Sequence, residues 1–473
     1  MTILPIDPVA NATPAALHAF LQQCREAAQR DGHAKLVSIS LSVGALDPLA
    51  VLESIFEPDE PHFYAERPGI ETAIAGAEVA AIHTAHGPNR FADAQRWVDD
   101  LLQHTIAVGD VGAPFGGPHF FAAFTFRNEV EAGEPFPAAM VFVPRWQVAR
   151  AGAVTTAVAN FTIEAQTDLG PVTERVWRAH GKFTSFRFKD TAVDSLPGES
   201  RKFSRTEAGD YRAAVAQALQ RIAAREFEKI VLARAQDIRA DQPLHPLEML
   251  NGLRQRFPDC YAFSFTAGRG PSFIGASPER LVRVSKAMLE TEALAGSIRR
   301  GASASEDAAL ADALSRSEKD RREHQQVLDD IVARLTPLGL SLEFSPAPRV
   351  RRFANVQHLH TPVHASLPET VRLLDVLAAL HPTPAVGGSP RDAAVARIRE
   401  LEGFPRGLYA GALGWMNARG GGEFFVGLRS ALVEGATARV YAGAGIVAGS
   451  TPEKEFAETE LKFKAILDAL LVP

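Results

Sequence analysis

Three apolar runs near the end of the chain constrain its fold more than any other feature. Leu408–Met416, Glu423–Val433 and Ala438–Val447 are separated by the polar turns Asn417–Gly422 and Glu434–Thr437. Strands joined by such short turns cannot pair in parallel, because a parallel pair needs a crossover of about a dozen residues. The spacing therefore predicts an antiparallel meander. Its last strand ends in Tyr441-Ala-Gly-Ala-Gly-Ile-Val447, and the helix that follows carries Glu455, Glu458 and Lys462. Residues three and four apart share a helix face, so two carboxylates and an ammonium gather beside bare backbone amides. That corner suits a carboxylate ligand held partly through Mg²⁺. The plainer alternative is a surface helix with an ordinary Glu–Lys pair.

Gly443-Ala-Gly445-Ile-Val-Ala448 also fits the dinucleotide fingerprint G-x-G-x-x-G/A. The fingerprint requires a further strand after the helix, with an acid for the ribose. No such strand follows, so a nucleotide site is not expected.

Upstream, the pattern reads as helix over Pro14–Arg30, strand over Leu36–Val43, helix over Phe91–His104 and strands over Ala138–Val143 and Val154–Ile163. Residues 185–208 are polar, contain Pro197 and Gly198, and read as a linker. A helix over Glu207–Arg225 then leads into the strand Lys229–Arg234. Further strands are expected at Ala262–Thr266, Phe273–Ala276, Leu281–Val284 and Ala287–Thr291, and one long helix over Ser305–Leu335. The expectation is an α+β fold, with antiparallel sheets flanked by helices.

The chain has 473 residues and a net charge of −6, without a long basic run, which argues against nucleic acid as a partner. Only Cys24 and Cys260 are present, so neither a disulfide framework nor a zinc cage is expected. His358, His360 and His364 fit no helical metal-binding pair, and Pro362 interrupts them. No apolar stretch reaches membrane-spanning length and no signal peptide is legible, so a cytoplasmic protein is expected, with no membrane partner.

Individual residues carry chemistry only weakly. Lys229 opens an apolar strand, where desolvation would lower an ammonium's pKa and make it a usable base. The commoner fate of such a lysine is to reach water. Glu279 lies in a turn between two apolar strands, where a carboxyl could stay protonated and act as an acid; the alternative is a simple pair with Arg280. Glu323 lies in a charge run that would ordinarily be a solvated helix face.

Their order is far more specific. The phrases Lys229-Ile-Val-Leu-Ala-Arg234, Phe273-Ile-Gly-Ala-Ser-Pro-Glu-Arg280, Glu292-Ala-Leu-Ala-Gly-Ser297 and Lys319-Asp-Arg-Arg-Glu-His324 come first. Asn355-Val-Gln-His-Leu359, His381-Pro-Thr-Pro-Ala385, Arg406-Gly-Leu-Tyr-Ala-Gly411 and Gly422-Glu-Phe-Phe-Val-Gly-Leu-Arg429 follow, before the terminal glycine–glutamate–lysine cluster. In this order they resemble the chorismate-utilising enzymes, a group that includes isochorismate, salicylate and anthranilate synthases. The resemblance implies one large domain over 1–473, with a variable scaffold half over 1–200 and a catalytic half over 206–470.

It also implies roles. Glu323 and Glu458 would bind Mg²⁺, with Glu455 nearby, and the metal would hold the ring carboxylate of chorismate. Tyr409 and Arg429 would take the enolpyruvyl carboxylate. Gly296, Gly443, Gly445 and Lys462 would complete the cradle. Ser297, where many members have threonine, keeps the hydroxyl, and His358 matches a histidine near the substrate. Lys229 would activate water for addition at ring carbon 2, and Glu279 would protonate the hydroxyl leaving carbon 4.

Ammonia-using relatives carry glutamine at the lysine position and need a glutaminase. With Lys229 in place no glutaminase subunit is expected, and a monomer is. Salicylate synthases tend to have threonine where Ala385 stands. The resemblance thus implies an isochorismate synthase, whose product could serve menaquinone, a catechol siderophore or salicylate made by a separate lyase. The alternatives are a salicylate synthase that also eliminates pyruvate, and a silent binding subunit, which the intact Lys229, Glu279, Glu323 and Glu458 disfavour.

Overall fold

The computed structural model describes residues 1–4, 13–55, 59–184, 202–353 and 356–471. Most of the expected linker (185–201) and Asn355 lie outside them. Among the described residues the strands form two long antiparallel ladders. The first runs Phe203–Ala208, Lys229–Ala240, Thr437–Val447, Ser430–Glu434, Ser272–Ser277, Tyr261–Thr266, His62–Arg67 and Thr72–Ala85. The second runs His119–Phe124, Ala412–Asn417, Gly422–Val426, Arg280–Ser285, Met288–Arg299 and Val356–Ser366. Both reach the strand Ala139–Ala151. Thr72–Ala85 lies along one of its edges. On the other edge, Ala139–Phe142 pairs with Phe121–Phe124, and Trp146–Ala151 pairs with Val154–Ala159. Among the described residues parallel pairing occurs only where Thr105–Gly109 meets Lys35–Val43 and Thr2–Leu4.

The ladders pack face to face through aromatic side chains. Phe63 of the first stacks on Phe121 of the second with 4.7 Å between ring centroids, and Phe263 meets Phe425 at 5.2 Å. All four rings are buried. Each such ring removes a large apolar area from water, so the interface is held mainly by hydrophobic burial.

The expected simple meander is corrected. Gly422–Val426 belongs to the second ladder and Ser430–Glu434 to the first, so Glu423–Val433 is not one strand. The chain crosses between layers at Gly427-Leu428-Arg429. Only a glycine fits at 427, because a Cβ there would lie 2.5 Å from the Leu408 carbonyl oxygen. Arg429 takes φ 47°, in the left-handed region that breaks a strand. A second crossing lies beside it, where Ser272–Ser277 leaves the first ladder and Arg280–Ser285 enters the second through Pro278 and Glu279. The two crossings hold each other by main-chain bonds, Ala276 N–H to Arg429 O (3.1 Å) and Val426 N–H to Glu279 O (3.1 Å).

Other boundaries shift for local reasons. The helix expected over Ser305–Leu335 is two, Ala304–Arg316 and Glu318–Leu335. Ser317 ends the first and caps the second, its Oγ accepting from Asp320 N–H at 3.3 Å. The end of the expected linker, Phe203–Ala208, is a strand beside Lys229–Ala240. The next helix therefore starts at Tyr211, capped by Asp210. The strand expected at Ala287–Thr291 runs from Met288 to Arg299, with a bulge between Ala295 and Ser297. Gly443 and Gly445 stand inside a ladder strand, opposite Ala233 and Val231, so they form no phosphate-binding loop.

Ser317→Ala should cost about 1 kcal/mol of stability, the usual worth of an N-cap hydroxyl. Chemical denaturation measures it; an unchanged midpoint would mean that the helix carrying Glu323 does not depend on this cap.

Candidate active site

A cavity of about 330 Å³ lies where the crossings part the two ladders. Glu279 and Arg429 come from the crossings themselves. Gly296 and Ser297 come from the bulged strand and His358 from its neighbour. Glu323 comes from the helix capped by Ser317, and Ala385 from the loop after the helix Leu373–Leu380. Tyr409 precedes the strand Ala412–Asn417, and Gly443 and Gly445 form the floor. Glu455, Glu458 and Lys462 descend from the terminal helix Pro452–Leu471. All these sequence-predicted positions line the one cavity. Lys229 sits just behind the wall, its side chain 1% exposed, with Nζ donating to Glu323 Oε1 at 2.8 Å.

The glycines are spatial requirements. A Cβ on Gly445 would lie 3.1 Å from Glu323 Oε1 and 3.2 Å from Lys229 Cε, and one on Gly443 would lie 2.7 Å from the Tyr409 hydroxyl. Gly296 has φ 72°, and a Cβ there would lie 3.0 Å from Asp320 Cβ. The floor is therefore bare main chain. Lys462 completes it, donating to Gly443 O (2.7 Å) and Glu458 Oε1 (2.8 Å).

The electrostatics divide the cavity. Burial pushes the Glu279 carboxyl up to about 8; the Glu292 charge adds to this, and Lys229 only partly opposes it. Burial also works against ionised Glu323, but the Lys229 ammonium prevails and holds that carboxyl below its usual range. Burial pushes Glu455 up, with Ser450 opposing and the Glu458 charge reinforcing. His358 is held neutral, at about 3, chiefly by burial. Its Nε2 has no hydrogen-bond partner. Burial lowers Arg429, which donates to Cys260 Sγ at 3.7 Å. Among the described residues no carboxylate pairs with its guanidinium, so a charge in a desolvated wall faces the cavity without a counter-ion.

Sequence reasoning missed the groups that hold this arrangement. Arg406 and Glu402 form a buried pair, 2% and 0% exposed. Arg406 also donates to the carbonyls of Val386 (2.8 Å) and Val231 (2.7 Å), while Glu402 accepts from Ala233 N–H. Their i,i+4 spacing was the available signal. Lys319 and Asp320 also line the cavity. His381, by contrast, turns into the aromatic core against Phe91 and Phe126. Its place in the His381–Ala385 phrase thus reports on the loop's packing rather than on ligand contact.

Residues 19–471 match the sequence model of the family described as chorismate binding enzyme. The chain belongs to this family. It is 35% identical over 459 residues to the salicylate biosynthesis isochorismate synthase of Pseudomonas aeruginosa, covering 96% of this chain and 94% of that one. It is 31% identical over 463 residues to the isochorismate synthase MenF of Bacillus subtilis, covering 94% and 95%. The solved structure of the menaquinone-specific isochorismate synthase MenF from Escherichia coli superposes with a TM-score of 0.77 at 28% identity, covering 95% of this chain and 99% of that one.

Gly443→Ala should fold normally yet bind chorismate about tenfold more weakly, ~1.4 kcal/mol, because its Cβ drives the Tyr409 hydroxyl off the floor. Ligand titration against the wild type tests this; equal affinity would mean that Tyr409 moves aside freely.

Proposed function

We propose that the chain is an isochorismate synthase, converting chorismate reversibly to isochorismate within this cavity. The observation that carries the reading is one cavity served by two buried titratable groups of opposite function. Lys229 is a lysine held dry, and Glu279 is a carboxyl held neutral near physiological pH. A neutral carboxyl can give a proton and a lysine amine can take one, so the cavity has both an acid and a base to hand.

Lys229 acts as the neutral amine, having first given up its ammonium proton, and takes a proton from water as the oxygen adds at ring carbon 2. Glu279 gives its proton to the hydroxyl leaving carbon 4, so that water departs and the ring keeps its two double bonds. Arg429, beside Tyr409, receives the enolpyruvyl carboxylate, a bidentate match for a guanidinium without a counter-ion. Lys462 and the amides of the glycine floor steady the ring end, with Gly296, Ser297 and neutral His358 on the facing wall.

The ring carboxylate would meet Glu323, Glu455 and Glu458, three carboxyl groups set against the two ammonium groups of Lys229 and Lys462, so a further cation there would favour a dianion. Among the described residues no three metal-ligating side chains already converge on one point. One or two carboxylates are nevertheless what Mg²⁺ ordinarily takes, keeping several waters for exchange with substrate oxygens. Glu323 and Glu458 would hold it, with Glu455 alongside. When bound it supplies the positive charge that anchors the ring carboxylate.

A glutaminase subunit has no place in this scheme, because Lys229 serves water rather than ammonia. Ala385 brings only a methyl to the wall, which disfavours the second reading, a salicylate synthase that goes on to eliminate pyruvate. Incubation with chorismate and Mg²⁺ separates the two. Isochorismate in equilibrium with chorismate, without pyruvate, supports the proposal; salicylate with stoichiometric pyruvate overturns it.

Lys229→Ala should abolish turnover while leaving chorismate binding within about threefold; measurable turnover would remove Lys229 from the base role. Glu458→Gln should raise the Mg²⁺ concentration for half-maximal activity by about tenfold or more, and an unchanged titration would exclude it as a ligand.

A further inference from the structure

Glu292 is a buried carboxylate to which the mechanism above gives no task. Its side chain is 2% exposed, yet three groups surround it. Oε2 lies 2.8 Å from His360 Nε2 and 2.9 Å from an Arg351 guanidinium nitrogen. A guanidinium nitrogen of Arg280 is 3.9 Å away. Oε1 accepts the backbone N–H of Arg280 at 3.2 Å, and that N–H belongs to the peptide joining Glu279 to Arg280. The carbonyl of the same peptide accepts from Val426 N–H at 3.1 Å. The peptide carrying the general acid is thus clamped at both ends.

A neutral amide would serve the Arg280 N–H equally well. A charge here is costly, because burying a carboxylate requires partners to offset its desolvation. Burial works against the charge, but His360, Arg351 and Arg280 hold the carboxyl down at about 2. The anion therefore persists across the working pH range. Its effect falls on Glu279, whose charged and titratable neighbours are Glu292 on one strand, Lys229 on another and Tyr409 across the cavity, with Thr383 from the Ala385 loop. Of these, Glu292 is the one that disfavours a second negative charge throughout that range.

We infer that Glu292 is the positioning residue of the general acid: it fixes the Glu279 peptide by accepting the Arg280 N–H and sets a buried negative charge behind the Glu279 carboxyl. The inference rests on the proposed acid role of Glu279.

The test is the pH profile of kcat from about pH 6 to about pH 10, for Glu292→Gln, Arg351→Gln and Glu279→Gln beside the wild type. The wild type should lose activity as pH rises through about 8, where Glu279 gives up its proton. Glu292→Gln keeps an acceptor for the Arg280 N–H but removes the charge. Its alkaline limb should fall by about one pH unit, about tenfold in rate above the limb, with KM little changed. Arg351→Gln leaves the anion less compensated, so its limb should move the other way.

A merely structural Glu292 would lower stability without moving the limb. A folded Glu292→Gln enzyme with an unmoved limb overturns the inference. If that variant does not fold, the Arg351→Gln limb decides: an upward shift supports the inference, and no shift or a downward one overturns it. Full activity in Glu279→Gln would instead remove the acid assignment on which the inference rests.

Discussion

Two neighbouring stretches of chain have to pass between the ladders, and the rest of the site is built around that passage. Pro278–Glu279 and Gly427–Arg429 run side by side and exchange main-chain hydrogen bonds. Each crossing interrupts a strand, and the interruption is what turns a side chain into the gap. A residue inside a regular strand points to one face or the other of its sheet. The inward side chains of the regular strands are packed against the other ladder, whereas Glu279 and Arg429, at the crossings, line the cavity. Backbone that leaves a ladder must find other partners for its polar groups. The paired crossings supply them for each other, which lets two irregular segments remain buried.

The buried charges follow a common pattern. Arg406 and Glu402 neutralise each other and tie Val231, Ala233 and Val386 together through main-chain bonds. Lys229 is matched by Glu323, and Lys462 by Glu458. Arg429 stands apart, with a thiol and a ring for neighbours and no carboxylate among the described residues. Desolvated charge without a partner is unfavourable, so the protein carries electrostatic tension at Arg429.

The candidate site was legible because its residues sit in compact phrases, each a strand end, turn or helix start. Lys229, Glu279 and Glu323 carried little weight singly and much weight in order. Contacts between distant segments were not legible. Nothing near Glu292 in sequence announces Arg351 or His360, which reach it across a ladder 59 and 68 residues away. Element boundaries failed where tertiary demands overrode local pattern. The run Glu423–Val433 is apolar enough for one strand, and only Gly427 hinted at the break. Ser317 ends a helix inside an otherwise continuous helical pattern, and its Ser-x-x-Asp spacing was the overlooked sign. Phe203–Ala208 is polar because it is an exposed edge strand, and so it resembled a linker.

The glycine floor has a consequence for how such a protein can change over time. Gly443 and Gly445 lie in a ladder strand, paired with the strand that carries Lys229, so the surface beneath the ligand is fixed by main-chain hydrogen bonds. A substitution there adds a Cβ 2.7 Å from the Tyr409 hydroxyl or 3.1 Å from Glu323 Oε1, so a side chain of the site must move to admit it. Variation that retunes the chemistry is thereby channelled to walls that present side chains from a loop, above all Ala385 and Val386. The floor is rigid, and the loop wall is where a side chain can be exchanged without disturbing a ladder.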